Sequence, residues 1–343
     1  MKPPRVVQVA YNPTARLYKQ SAALCRNGLM VDLISHDPPN VIGAFDTVTL
    51  WSDDGQLRRS MRRSDADIFH VHNQPDELVK LVAKDSRPVV VDVHDLFSVL
   101  TGEIRADERD MYSFGDAFLH VSHPMMDHFR SIHGNGKPDA VVENYISEDL
   151  VLREKPRRYP GSSDKIRMVY EGAVTGGGTD KLCDEAPFAY YDHRDTAKEL
   201  QAAGIELHMY PARYETGIEA HKQFGVTVHE GRPLAKLIPE MQQYRWGLVG
   251  NTNRFKQWDV SMPNKLFEYM AAGIPVVVWN AAEAAKFVER EGVGIVVNSA
   301  EEIVARNGEA EKCQEAVLAK IKGWTWEANI HRLEKLYAKG LHG

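Results

Sequence analysis

SMPNKLFEYMAAGIPVVVW, residues 261–279, reads as a helix that begins at an anion site, stops sharply and feeds a buried strand. Ser261 can cap that helix and Pro263 suits its first turn. Leu266, Phe267, Met270 and Ile274 follow helical spacing and would pack on a sheet. Gly273 and Pro275 end the helix, and the valines at 276–278 look like a strand of a parallel sheet. Asn264, Lys265 and Glu268 lie three or four residues apart and share the other face. Free backbone N–H groups at a helix start attract phosphate, and Lys265 adds a full positive charge. Glu268, one turn deeper, can accept hydrogen bonds from two neighbouring hydroxyls, as on a ribose. This order suits a nucleoside diphosphate. The plainer alternative is an ordinary amphipathic helix with Asn264, Lys265 and Glu268 merely solvated.

The length of 343 residues favours two domains with separate cores. A chain that is 43% hydrophobic and 26% charged is that of an ordinary globular protein. The formal net charge of −6 argues against a broad nucleic-acid or anionic-membrane surface. Cys25, Cys183 and Cys313 are few, odd in number and far apart, which implies neither a disulfide framework nor a zinc site. That pattern fits a reducing compartment. The first residues lack the apolar core of a signal peptide, and no apolar run approaches the ~20 residues of a membrane span. A cytoplasmic location is the expectation.

Short Val/Ile/Leu runs alternate with helical stretches throughout, the pattern of parallel βαβ units. The first half places strands near 6–10, 30–35, 47–51, 67–72, 88–94, 117–122 and 140–143. Helices are expected near 15–27, 56–63, 76–84, 103–112 and 124–133. Residues 147–165 break the pattern with EKPRRYPGSSDK, rich in charge, Pro, Gly and Ser, and are read as the linker. Alternation resumes with strands near 166–171, 205–210, 226–229, 246–249, 276–279 and 294–297. Helices fall near 192–203, 234–244, 263–272 and 282–290, and residues 310–341 read as helix with a break near 323–324.

The segment 261–279 resembles the nucleotide-sugar signature of GT-B glycosyltransferases, in particular the large retaining group called family 4. The resemblance implies that its helix binds the donor diphosphate and that Glu268 holds the ribose. It implies an α/β GT-B fold: two Rossmann-like domains facing across a cleft, with a C-terminal helix crossing back to the first. The boundaries drawn are 1–150 for the acceptor domain, 166–322 for the nucleotide-sugar donor domain and 323–343 for the returning helix. GWTWEANIHRLEKLY, residues 323–337, is similar to that closing helix.

VVVDVHD, residues 89–95, ends a buried strand in polar groups, where open α/β sheets bind ligands. His94 can donate to a sugar hydroxyl or a phosphate oxygen, and the family often has a His here facing the donor sugar. YNPTAR, residues 11–16, follows the first strand, so Arg16 is either a donor-phosphate contact or a plain first-turn residue. No GxGxxG occurs, so a dinucleotide fingerprint is absent. YEGAVTGGGTDK, residues 170–181, offers Gly172, Gly176 and Gly177 for close backbone approach to a ligand. The family usually has an Arg after a Gly here, whereas this chain has Ala173, and Lys181 is displaced from the usual Lys spacing. Lys265, Arg254 or Arg194 could supply that charge instead. Ser261, Met262, Pro263 and Asn264 complete the expected donor contacts at the helix start, with backbone N–H groups around 259–262 able to contact the sugar or phosphate.

The family's Glu-x7-Glu pair is incomplete: Glu268 matches the second acid, but Val260 stands at the first, with Asp259 adjacent and out of register. DAD at 65–67 matches a metal-binding DxD by letters only, and His70, His72, His120, His123 and His128 show no trusted metal spacing. No metal and no cofactor are expected beyond the nucleotide sugar as co-substrate. Arg58, Arg59, Arg62 and Arg63 read as a solvated helix face, with contact to an anionic acceptor the minority reading.

The expectation is a glycosyltransferase that moves a sugar from a nucleotide donor to a hydroxyl acceptor, retaining and metal-independent. His94, Lys265 and Glu268 are its candidate catalytic residues. The acceptor could be a glycan, a lipid-linked sugar, a small molecule or a modified DNA base. Two alternatives stay open: a non-catalytic donor-fold partner subunit, and a phage-type enzyme that glycosylates hydroxymethylated DNA.

Overall fold

The short apolar runs become two separate parallel sheets. The structure is a computed structural model that describes residues 4–39, 43–134, 136–152, 165–175, 190–212 and 218–342. The chain divides into two units, Met1–Glu148 with Trp324–Gly343, and Asp149–Gly323. The linker expected at 147–165 lies largely outside the described residues.

The first unit holds β1 (Arg5–Ala10), β2 (Met30–Ser35), β3 (Thr47–Leu50), β4 (Ile68–His72), β5 (Val89–Val93), β6 (Ala117–His120) and β7 (Asp139–Val141). Their order is β3-β2-β1-β4-β5-β6-β7, every neighbouring pair parallel. The second unit holds β8 (Arg167–Gly172), β9 (Glu206–Pro211), β10 (Thr227–Val228), β11 (Trp246–Gly250), β12 (Val276–Trp279) and β13 (Gly294–Val297). Their order is β10-β9-β8-β11-β12-β13, again all parallel. Central strands such as VVVDV of β5 and VVVW of β12 are buried along their whole length. Helices cover both faces of such sheets, so apolar runs replace alternation. In each sheet the order reverses once, between β1 and β4 and between β8 and β11. Open α/β sheets bind ligands at that point, at the carboxyl ends of the strands.

The C-terminal helix, Trp326–His342, is part of the first unit. Thr325 bridges to Ile146, and the Trp326 N–H donates to the Ile146 carbonyl at 2.9 Å. Trp326, Leu333, Leu336 and Tyr337 are buried there. The Glu327 carboxylate accepts from the Glu148 N–H at 2.9 Å and the Ser147 hydroxyl at 3.2 Å. Among the described residues no helix is long and apolar enough to cross a membrane.

Arg16 departs from the expectation of a donor contact. It is the second residue of the helix Ala15–Arg26, yet is only 1% exposed. Its Nε lies 3.0 Å from both oxygens of Asp92 on β5, and Nη1 donates to the Glu143 carbonyl and to Asn144 Oδ1. The guanidinium also lies over the Trp326 ring, 4.9 Å from its centroid. Arg16 therefore ties a helix, a central strand and the C-terminal helix together. Burial opposes ionisation of Asp92, but Arg16, helped by His94 and His70, outweighs it and holds the carboxyl well below its ordinary range.

Replacing Arg16 with Met keeps the volume but strands a buried carboxylate. We predict that Arg16→Met loses about 3–5 kcal/mol in urea unfolding at neutral pH. A folded-state pKa that is depressed contributes stability above the unfolded value of about 4 and loses it as pH falls through the folded one. The gap between wild type and variant should therefore narrow in acid. An unchanged midpoint at neutral pH would contradict the role given to the pair.

Candidate functional site

In the second unit β8 ends at Gly172, beside the reversal of strand order. Gly172 has φ of +123°, a conformation that side chains rarely adopt. The helix Asn264–Ala271 lies close over the adjacent strands because of two residues. Gly247 on β11 has no Cβ; one placed there would come within 2.3 Å of the Tyr269 ring. The Tyr269 hydroxyl accepts from the Glu171 N–H at 3.0 Å and donates to the Leu248 carbonyl at 3.2 Å. The helix is thus pinned to β8 and β11 together.

That docking sets Lys265 into the end of the sheet. Its Nζ would lie 3.2 Å from a Cβ on Gly172, and sits 5.0 Å from the Tyr170 ring centroid and 5.2 Å from that of Trp258. Lys265 is buried, and burial lowers its pKa while the Glu171 and Glu268 carboxylates limit the drop. The site therefore holds a cation on two aromatic faces, two carboxylates, a glycine turn and the first turn of a helix. Such a helix start, with a lysine added, accommodates a phosphate group.

Three expectations about this segment change. Glu268 was expected to point away from the core, yet it is 2% exposed, because the polar face of the helix is enclosed with Lys265. Ser261 does not cap the helix: its N–H donates to Gln257 O and ends a preceding short helix, Lys256–Val260, while Pro263 holds the N-cap position with no side-chain cap bond. That preceding helix, KQWDV, is too short to show a helical period. It also gives Asp259 another partner, the Ala282 N–H, and leaves Val260 at the position of the family's first acid.

Met262 is buried, and Pro263 and Asn264 are half-buried at the helix start. Arg194 is held by Asp192 at 2.6 Å, which makes it a local ion pair in this structure. Arg254 is exposed on the segment after β11. Gly176, Gly177 and Lys181 lie outside the described residues. His193, which the sequence did not single out, is fully buried with its ring 4.1 Å from Tyr170, and among the described residues neither ring nitrogen has a hydrogen-bond partner. Burial, His221 and Lys265 together push its pKa well down, so it stays neutral.

In the first unit His94 follows β5 and is 13% exposed at its side chain. Its Nε2 lies 3.0 Å from His72 Nδ1 and 3.5 Å from Asp92 Oδ1, and its backbone N–H donates to Asn73 Oδ1. His70, His72 and Asp92 also converge tightly enough to suggest a metal site, which their sequence spacing did not announce. Their hydrogen bonds weigh against that use. Arg16 and Gln20 donate to Asp92, Tyr337 bonds His70 Nδ1 at 2.6 Å, and both ring nitrogens of His72 are occupied. A cation there would face the Arg16 guanidinium across a shared carboxylate. Arg59, Arg62 and Arg63 are exposed and Arg58 is half-buried on the helix Asp54–Arg63.

Residues 188–328 match the family model described as Glucosyltransferase 3-like, C-terminal domain. The chain carries a glycosyltransferase domain on a GT-B fold. The whole chain is similar in structure to sucrose-phosphate synthase from Thermosynechococcus elongatus, at 13% identity and a TM-score of 0.71, covering 98% of each chain. It is similar to HepE from Anabaena, solved with UDP and glucose, at 14% identity and a TM-score of 0.64, covering 96% of this chain and 99% of that one. An alpha-glucosyltransferase solved with UDP and a 13-mer DNA containing an HMU base is similar at 12% identity and a TM-score of 0.59, covering 98% of this chain and 99% of that one. No curated protein matches the sequence. The GT-B fold and the glycosyltransferase assignment expected from residues 261–279 are borne out.

Gly172→Ala tests the geometry at the end of β8. The residue would be strained at its positive φ and would push on Lys265 Nζ. We expect a loss of about 1–3 kcal/mol, read as a drop of roughly 2–10 °C in melting temperature. Gly308→Ala, where an added Cβ meets open space, should leave the melt unchanged. Equal melts for the two variants would show that Gly172 is not held as described.

Proposed function

We propose that the protein transfers a sugar from a nucleotide-sugar donor to a hydroxyl acceptor, and that the second domain holds the donor. The observation that carries this is Lys265, a buried ammonium beside Gly172 in the first turn of the helix Asn264–Ala271. Burying a charge without a purpose is unfavourable, and here the cation lies where a diphosphate would bind. Glu268 anchors ribose hydroxyls from the same enclosed face. HepE and the alpha-glucosyltransferase were both solved with UDP, which supports a nucleoside diphosphate as the donor's leaving group.

The proposed reaction retains the anomeric configuration. The bond from the anomeric carbon to the diphosphate breaks, the acceptor oxygen bonds that carbon on the same face, and the acceptor proton passes to the departing diphosphate. The protein's part is to position the substrates and to stabilise charge on the leaving group. Lys265 and the helix N–H groups supply that stabilisation without a divalent metal. His94 offers a ring nitrogen to a substrate hydroxyl. The acceptor is proposed only as a hydroxyl compound. A hydroxymethylated base stays in the panel because one structural neighbour binds such DNA, although the net charge of −6 disfavours DNA.

Lys265→Met and Glu268→Gln separate the two halves of the donor site. Charge-assisted hydrogen bonds contribute about 1.5–3 kcal/mol, so each variant should weaken nucleoside-diphosphate affinity by roughly one to two orders of magnitude in calorimetry. Lys265→Met should leave affinity for the nucleoside without phosphates unchanged, whereas Glu268→Gln should weaken both. Transfer should persist in excess chelator. Undiminished diphosphate affinity in Lys265→Met would contradict the assignment, and activity that returns only with added magnesium or manganese would contradict metal independence.

A further inference from the structure

The first domain contains a chain of side chains whose hydrogen-bonding roles are fixed one after another. It starts at Asp92, an ionised carboxylate that can only accept. Gln20 Nε2 lies 3.1 Å from Asp92 Oδ2, so the Gln20 amide must turn its NH2 to Asp92 and its oxygen away. That oxygen, Oε1, lies 3.3 Å from Gln8 Nε2, so Gln8 must turn its own NH2 toward Gln20. Gln8 Oε1 is then the atom 2.8 Å from His72 Nε2, which must carry a proton. His72 is 2% exposed, and burial keeps it neutral, so its Nδ1 is a bare acceptor. His94 Nε2, 3.0 Å from that Nδ1, must therefore be the N–H donor. Its second neighbour, Asp92 Oδ1 at 3.5 Å, is also an acceptor and requires the same proton. No described residue hydrogen-bonds His94 Nδ1.

The geometry points to Gln8, Gln20 and His72 as positioning residues that hold His94 in one tautomer, with Nε2–H inward and Nδ1 presented to substrate as an acceptor for a sugar hydroxyl. The second clause rests on the proposed glycosyl transfer; the first does not. A neutral imidazole prefers neither nitrogen strongly, so a fixed tautomer needs fixed partners. An Nδ1 lone pair recognises a hydroxyl donor and rejects a phosphate oxygen, which can only accept. This narrows His94 to one of the two ligand groups that a histidine at the end of β5 can serve. Gln8 sits mid-strand on β1 and Gln20 on the helix Ala15–Arg26, both fully buried, so neither touches substrate.

Nitrogen-15 NMR of histidine-labelled full-length protein at about pH 8, where an ordinary histidine is neutral, reads the tautomer directly. His94 is assigned by the signals lost in His94→Asn. Wild type should show a protonated-type Nε2 and a bare-type Nδ1 for His94. Gln8→Leu and Gln20→Leu should move both shifts toward the average of a mixed tautomer. A His94 that carries its proton on Nδ1 in wild type would overturn the relay, and the wild-type spectrum decides this even where a variant fails to fold. For the substrate clause, Gln8→Leu should lower kcat/KM for sugar transfer by about tenfold, equal to 1.36 kcal/mol, through the barrier rather than the melt. A relaxed tautomer with unchanged kcat/KM would overturn the substrate clause alone. Absence of transfer by wild type, with the single tautomer observed, would count against the proposed reaction and leave the relay standing.

Discussion

An ammonium group held out of water is the constraint around which the second domain is arranged. Burial disfavours the charged form of Lys265, and Glu171 and Glu268 retain it in part. For those groups to meet, the helix Asn264–Ala271 must lie almost on the strands. That closeness needs Gly247 under the Tyr269 ring and Gly172 beside the Lys265 ammonium. The Tyr269 hydroxyl then closes β8 to β11 through two backbone bonds. A side chain at Gly247 would collide with the Tyr269 ring and lift the helix, and one at Gly172 would crowd the Lys265 ammonium.

The first domain solves the opposite problem. Its central β5 carries a carboxylate, Asp92, that is fully buried mid-strand. Arg16 neutralises it from a neighbouring helix, and Trp326 of the C-terminal helix covers the guanidinium. Gln20 also donates to Asp92, Gln8 bonds Gln20 and His72, His70 lies 3.7 Å from the carboxylate, and Tyr337 bonds His70. A buried ion pair of this sort is weak support for stability by itself, since apolar replacement often serves as well. Its effect here is orientation: the network occupies His94 Nε2 and leaves its Nδ1 with no described partner.

Much of this was legible in the sequence because parallel sheets are written in apolar runs. Each strand of both sheets fell within a residue or two of its run, from RVVQVA on β1 to GIVV on β13. The short helices Phe97–Thr101, Ile218–Lys222, Lys256–Val260 and Ala300–Ala305 were not, because five or six residues carry no period. Periodicity also misled about Glu268 and Lys265. It separates apolar from polar faces, and it cannot tell a polar face in water from one enclosed by another part of the chain. Arg16 shows the same limit: a charged residue in the first turn of a helix looks alike whether it meets phosphate or a buried aspartate. Asp92 is hidden inside VVVDVHD, because an acid within an apolar run carries no sign of the arginine that pairs with it in the fold. The buried glutamines, Gln8 and Gln20, had no signal at all, since their partners come from strands and helices far along the chain.

The most direct test is a crystal structure of the protein with whichever nucleotide sugar most raises its melting temperature. The account predicts the diphosphate at the start of the helix Asn264–Ala271, within hydrogen-bond reach of Lys265 Nζ, and the ribose hydroxyls on Glu268. A nucleotide bound elsewhere, with Lys265 still enclosed between Tyr170 and Trp258, would contradict it.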